Sequence, residues 1–356
     1  MQPIFSWAAD FDSNRNLTPG ADSSEQAVLS ADLQLQRSME NMAVMLEPKF
    51  DVRRFSDSEW GPGDDRSLAG SFDWQRERSS LNLKASIANQ NTLSTELQET
   101  GIINTDTRRR TTQASTELDL LRTEEHLFFT QVAYLGSSYS GPAYIEYELP
   151  GYRYESAALG ERFILSEHYT LSVSAFGDIL QSNRFGGSSH EAGAQVDLTY
   201  THSEKYNLDV AVGESKRSLA GDTSNGTNIN AVGTRNFERS SVSLGYSRSL
   251  VPYGNGFLVE RQQITAAARY SLTAYLDADV SLIRITNNSQ TVRLGLDRRF
   301  YDNAGGGLNW KVSETWTLRT EASSSWTPPI GSQHTLHEWR AALIMTWRPL
   351  PKVVSR

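Results

Sequence analysis

The sequence predicts an all-β fold: a transmembrane antiparallel up-and-down β-barrel of about 18 strands, with 16 as the alternative count. Three observations carry this. Side chains alternate between apolar and polar along most of the chain, short polar connections alternate with longer ones, and aromatic rings recur at one offset from the short connections.

Strands are predicted near 2–12, 26–37, 41–54, 67–76, 80–90, 111–121, 127–136, 151–165, 169–180, 191–202, 206–216, 228–236, 241–250, 259–271, 275–286, 300–313, 316–326 and 338–348. Period two defines most of them, because successive side chains on a strand point to opposite faces. Leu68, Gly70, Phe72 and Trp74 alternate with Ala69, Ser71, Asp73 and Gln75. Leu81, Leu83, Ala85 and Ile87 alternate with Asn82, Lys84 and Ser86. Ala192, Ala194, Val196, Leu198 and Tyr200 alternate with Gly193, Gln195, Asp197 and Thr199. The same reading covers Ile264 to Tyr270, Trp316 to Glu321, and Trp339 to Trp347. The pattern is weakest over 286–303, where Asn287-Asn288 reads either as a tight turn or as part of an extended hairpin above the membrane.

The connections sort into two classes. Short ones include Arg76-Glu77-Arg78-Ser79, Ser166-Glu167-His168, His202-Ser203-Glu204-Lys205 and Val312-Ser313-Glu314-Thr315. Longer ones fall at 12–25, 55–66, 91–110, 137–150, 181–190, 217–227, 251–258 and 327–337. A barrel with tight periplasmic turns and long outer loops produces this alternation, and a sandwich has no reason to. Tyr169, Tyr206, Tyr275 and Trp316 each follow a short turn, and Trp347 closes the last strand. These five are the predicted interfacial aromatic girdle. One barrel is expected over residues 1–348, with 349–356 a short periplasmic tail.

Composition removes other classes. No run of 18 apolar residues exists, so no transmembrane helix is predicted. The mean hydropathy of −0.48 is compatible with barrel strands, which need apolar residues only at alternate positions. Cysteine is absent, which rules out disulfides and thiolate metal sites. The 34 Lys and Arg against 42 Asp and Glu give a net charge of −8, so nucleic acid is not an expected partner. The Arg108-Arg109-Arg110 run reads as a solvated loop. Met1-Gln2-Pro3 leads straight into Ile4-Phe5-Ser6-Trp7 without a secretory signal. A bacterial outer-membrane location requires export, so the sequence reads as a mature or truncated form.

No enzyme is expected. The six histidines offer no nucleophile–base–acid set, and His334 and His337, placed in the last outer loop, lack a third metal ligand. Neither a metal nor a cofactor is expected. Gly305-Gly306-Gly307 is not a phosphate loop, since neither a helix nor Lys-Ser/Thr follows, and it marks a bend or a close backbone approach. Asp222-Thr223-Ser224-Asn225-Gly226 and Asp302-Asn303-Ala304-Gly305 read as exposed loops without calcium-site spacing.

The candidate functional residues are those of a polar lumen: Asp73, Lys84, Glu117, Asp119, Asp197, Arg269, Lys311, Arg319, Glu321 and Arg340. Leu83, Leu198, Leu244 and Leu343 fall on the opposite, lipid-facing set. Both charge signs occur inside with a mild acidic excess, which suits a neutral or weakly charged solute better than a strongly anionic one. The segment 91–110 is the candidate for a loop folded into the lumen.

Arg248-Ser249-Leu250-Val251-Pro252-Tyr253-Gly254-Asn255-Gly256, the first-strand ending Phe11-Asp12-Ser13-Asn14-Arg15-Asn16-Leu17, and the terminal Leu343-Ile344-Met345-Thr346-Trp347-Arg348-Pro349 give the chain a recognisable layout. Together they resemble the outer-membrane β-barrel porins associated with exopolysaccharide biosynthesis and export. The chain departs from that pattern at Tyr253, where the pattern has Ser, and in the nine residues past Trp347. The resemblance implies an exit channel for a secreted polysaccharide, working in outer-membrane lipid with a periplasmic export apparatus. The residues themselves leave two alternatives standing: a general or substrate-selective diffusion porin, and a structural or adhesive barrel.

Overall fold

The computed structural model describes residues 2–14, 23–56, 63–92, 107–140, 150–183, 188–219, 222–252, 258–288, 299–327 and 335–350. The strands are β1 (Gln2–Asp12), β2 (Ser24–Met39), β3 (Met42–Phe55), β4 (Asp65–Arg76), β5 (Ser79–Asn91) and β6 (Arg108–Leu121). There follow β7 (His126–Ser140), β8 (Tyr152–Ile164), β9 (Tyr169–Ser182), β10 (Ser188–His202), β11 (Tyr206–Leu219) and β12 (Asp222–Asn236). The series ends with β13 (Ser240–Pro252), β14 (Leu258–Ser271), β15 (Leu276–Asn288), β16 (Arg299–Lys311), β17 (Trp316–Thr327) and β18 (Leu336–Trp347). Each pairs antiparallel with its sequence neighbours, and β1 also pairs with β18, so the 18-stranded sheet closes on itself. This is the predicted up-and-down barrel.

Closure runs from Phe5↔Trp347 to Asp12↔Arg340. Because side chains alternate, each strand divides cleanly between two faces. Asp73, Lys84, Glu117, Asp119, Asp197, Arg269, Lys311, Arg319, Glu321 and Arg340 all fall on one face of the ladder. It is the concave face, because ion pairs on it join strands that are not neighbours: Arg162 of β8 lies 3.7 Å from Glu117 of β6, and Arg319 of β17 lies 2.7 Å from Asp279 of β15. The convex face carries Leu83, Leu198, Leu244 and Leu343, all exposed, as an apolar surface without a protein partner requires lipid around it. The chain is an outer-membrane β-barrel.

Several polar segments read as loops are strand. Residues 217–219 and 222–227, expected in a loop, form the far end of the β11–β12 hairpin, with Arg217 opposite Ser224 and Ser215 opposite Gly226. Asp302 to Gly305 lies inside β16. Arg108-Arg109-Arg110 opens β6. Asn287-Asn288 is not a turn, since both residues pair with β14. His337 sits in β18 with its ring 6.1 Å from that of Trp326, and His334 lies outside the described residues. In these segments glycine, charged or other polar residues broke the apolar alternation while the backbone ladder continued.

The face assignment sets unequal costs for substitutions. Leu83→Arg or Leu198→Arg is expected to destabilise the folded barrel by about 2–4 kcal/mol at the bilayer midplane, whereas Lys84→Ser leaves stability nearly unchanged. Reversible denaturation in lipid vesicles measures both, and the opposite ranking would mean that the ladder is out of register by one residue.

Candidate functional site

The lumen wall is built by rows of paired residues. One row runs Lys84–Ser115–Ala133–Ser156–Asp178–Glu191–Arg217 across β5 to β11. Its middle is small, with a cation at one end and carboxylates towards the other. A cavity of about 300 Å³ opens here, lined by residues that include Lys84, Glu117, Gln131, Phe176 and Asp178. Lys84 is exposed and, among the described residues, makes no ion pair.

The arginines of this face are held by carboxylates. Arg319 makes a bidentate contact with Asp279 at 2.7 and 3.0 Å and donates from Nε to Glu321 at 3.1 Å. Reaching β15 from β17 means crossing β16, and Gly307 makes this possible: a Cβ there would stand 3.1 Å from Arg319 Nη2 and 2.7 Å from the Thr320 carbonyl. The close approach expected at the glycine triplet is this crossing. Arg269 pairs with Asp277 at 2.6 Å, and Arg340 with Asp10 at 2.7 Å across the β1–β18 seam. Arg162 lies 5.1 Å over the Phe129 ring as well as near Glu117. By contrast, Asp119, Asp197 and Asp209 accept hydrogen bonds from Ser80, Gln195 and Asn207 at 3.2, 2.8 and 2.7 Å, and Asp73 accepts one from Asn82. These neutral donors leave the carboxylate charge in place.

At the long-loop end, one hairpin leaves the wall. Pairing between β12 and β13 stops at Ile229↔Arg248, while β13 and β14 stay paired to Pro252↔Leu258. Beyond the split, Leu250 and Leu258 are buried against Tyr152 of β8 and Leu180 of β9, with Leu135, Tyr139 and Tyr154 packed around them. Those strands lie four to six positions away around the barrel. A contact across that distance passes through the lumen, so the β13–β14 tip is folded inward. Consecutive Leu258, Val259 and Glu260 are all buried, so both faces of the tip are covered.

A charge network fastens the tip. Arg217, fully buried on β11, donates to Glu191 at 3.1 Å and to Glu260 of the tip at 3.2 Å. Arg248 donates to Glu260 at 3.1 Å, and Asn228 and Ser215 both donate to Glu191. The Arg217 guanidinium lies directly against Gly226, in space that any Cβ at that position would occupy. The seat beside it is held by Arg109, which donates to Ser137 and to the Tyr152 hydroxyl at 3.0 Å each. Sequence reading looked for an inward segment at 91–110. Most of that stretch, 93–106, lies outside the described residues, and the inward element on view is the tip, whose Val251 and Pro252 belong to strand rather than loop.

On the convex face at the short-turn end, Trp347 stacks against Phe5 at 5.7 Å and Trp316 at 6.2 Å. Tyr200 packs between Tyr169 at 4.8 Å and Tyr206 at 5.7 Å, and Tyr275 is exposed in the turn before β15.

No protein-family model matches the sequence, and no curated protein matches it. Solved structures do match in fold. Pseudomonas aeruginosa OpdQ aligns with a TM-score of 0.52 at 9% identity, covering 98% of each chain. OccK2 (OpdF) and OccK5 (OpdH) of the same organism align with TM-scores of 0.53 and 0.51 at 10% and 11% identity, again over 98% of both chains. Similarity at this identity establishes a shared barrel architecture.

The latch makes a specific demand on Gly226. Gly226→Ala should expel the Arg217 guanidinium and leave Glu191 and Glu260 uncompensated, at a cost of up to about 3–5 kcal/mol, the scale of breaking a buried ion pair. Its denaturation midpoint should fall, and its single-channel conductance in planar bilayers should rise as the tip comes free. A variant unchanged in both would show that Arg217 keeps its place without the open Cα.

Proposed function

We propose that the chain is a diffusion pore for small hydrophilic solutes, narrowed at its outer end by the β13–β14 tip and favouring cations over anions. The carrying observation is the tip itself, which leaves the wall at Arg248 and reaches the seat of Tyr152 and Leu180 inside the lumen. An 18-stranded barrel is wide enough for an aqueous channel, and an inward element converts such a channel into a sieve. The structural neighbours are outer-membrane porins with 18-stranded barrels, which supports the same reading.

The ion preference follows from which charges are already matched. Arg269, Arg319, Arg340 and Arg162 are each paired with a carboxylate, while Asp73, Asp119, Asp197 and Asp209 hold neutral donors. Fixed uncompensated carboxylates raise the local concentration of cations. In this reading those residues, with Lys84, Glu117, Lys311 and Glu321, line the path and perform no chemistry. Tyr169, Tyr206, Tyr275, Trp316 and Trp347 anchor the barrel at the periplasmic interface.

The second reading is the polysaccharide exit that the Arg248 to Gly256 segment implies. No structural neighbour supports the exopolysaccharide association, and a fixed tip across the lumen disfavours a polymer. The alternatives separate in the cell: loss of the gene should slow uptake of a small solute and leave surface polysaccharide intact, and the reverse result would favour export.

In planar bilayers under a KCl gradient, the zero-current potential should have the sign of cation preference. Asp73→Asn, Asp197→Asn and Asp209→Asn combined should reduce it. A pore that prefers chloride before substitution would overturn the assignment.

A further inference from the structure

The Arg108-Arg109-Arg110 run opens β6 as strand, so it divides between the two faces. Arg109 turns inward to Ser137 and Tyr152. Arg108 and Arg110 turn outward, into a surface that the pore does not use. Arg110 pairs across the ladder with Asn89, and Asn89 pairs with Arg66. Arg108 Nε donates to Asn89 Oδ1 at 2.9 Å. Three arginines therefore occupy positions next to one asparagine on the convex face.

Most of their charge is unspent, Arg108 alone sharing its field with the buried Asp65 carboxylate. Arg66 and Arg110 are exposed and, among the described residues, make no ion pair. Arg108 bonds the neutral side chain and carbonyl of Asn89 and the backbone carbonyl of Asp64. The Asp64 carboxylate is taken by Arg54 at 3.1 Å. On β8, Arg153 adds a further exposed cation on this face, with Glu155 one outward position deeper.

Their height is fixed by β4. Its outward series begins at Arg66, continues through Leu68, Gly70, Phe72 and Trp74, and ends at Arg76. Ten residues of tilted strand rise about 25 Å, the height of the apolar band of an outer-membrane barrel. Arg66 lies 5.4 Å over the Phe50 ring and Arg76 lies 5.0 Å over the Trp74 ring, so each stands on an aromatic at one margin of that band. Arg66 is at the long-loop end, level with the headgroups of the outer leaflet.

We propose that Arg66, Arg108 and Arg110 form a binding site for the phosphate groups of a phosphorylated outer-leaflet lipid. Guanidinium presents paired donors that match phosphate oxygens. The apolar side chains Leu68 and Ile87 lie directly below in the same ladder, where they meet the acyl chains of the same lipid. A free phosphate would satisfy the arginines but leave that apolar shelf to other lipids, so the site selects a phosphate carried on acyl chains. This site does not depend on the pore reading, since it lies on the other side of the wall.

The test uses the full chain folded in detergent, with bis-phosphorylated lipid A and its dephosphorylated form as the two probes. Heat-dependent migration on gels gives the unfolding midpoint at increasing lipid concentration. The wild type should be stabilised by the phosphorylated form and not by the dephosphorylated one, and excess inorganic phosphate should not replace it. The combined R66Q, R108Q and R110Q variant should need about a hundredfold more lipid A for the same shift, the scale of three basic side chains at a membrane surface. Equal stabilisation of the wild type by both lipids would overturn the proposal, and that comparison needs no variant to fold. So would a variant that responds like the wild type. Channel conductance should not change in either outcome.

Discussion

Every structural feature here depends on one constraint: in hydrocarbon, a backbone amide or carbonyl has no water to turn to. A sheet meets that demand only when it has no edge, and β1 removes the edge by pairing with β18 over eight residues from Phe5 to Asp12. Closure fixes more than backbone satisfaction. With an even number of antiparallel strands, both ends of the barrel portion fall on one side of the membrane. The inside–outside assignment of any strand is also bound to that of all the others. A slip of one residue would send Lys84 into lipid and Leu83 into the lumen, and the neighbouring strands would have to follow.

Closure also sets the lumen's chief packing problem, which is where long inward side chains go. Here they lie flat along the wall, over a neighbouring strand that has no Cβ at the crossing. Arg319 passes Gly307 to reach Asp279, and Arg217 rests against Gly226 on its way to Glu260. Two aromatics do the same: Phe129 covers Gly160 and Phe176 covers Gly193, each with a ring carbon where a Cβ would stand, at 2.7 and 2.8 Å. Glycine weakens an isolated strand, but opposite a large inward residue it trades that loss for an ordered side chain and a clear passage. Strand count sets the barrel's width, and these glycines let large inward side chains lie against its wall.

The barrel was legible in the sequence because its alternation is local. Leu81 to Ile87 reports its own strand and its own faces without knowledge of any other segment. The inward and outward sets follow from parity, so naming Lys84, Asp197 and Arg319 as one set required no distant information. The failures share a cause. Polar, glycine-bearing stretches such as 222–226 and 302–305 have lost the apolar half of the pattern, because above the lipid band the outward positions need not be apolar. The latch was invisible for a different reason: Leu250 and Leu180 are 70 residues apart in the chain, and nothing in either neighbourhood marks its partner. The lone glycine at Gly226 was the available hint, and it reads as a turn residue until the arginine above it is seen.

Two kinds of charge therefore coexist inside one wall. In the latch, Arg217, Arg248, Glu191 and Glu260 are mutually compensated and largely withdrawn from water, a state that favours one tip position because any other would strand a buried charge. Lower in the lumen, the carboxylates of Asp119, Asp197 and Asp209 remain beside neutral donors within reach of the aqueous path. The first set can hold the tip only because its charges cancel, and a set that cancels contributes little to the field along the pore. The charges that seat the tip and those left beside neutral donors are consequently separate residues. Among the described residues, none of the lower carboxylates touches the tip, so exchanging them leaves the latch contacts in place.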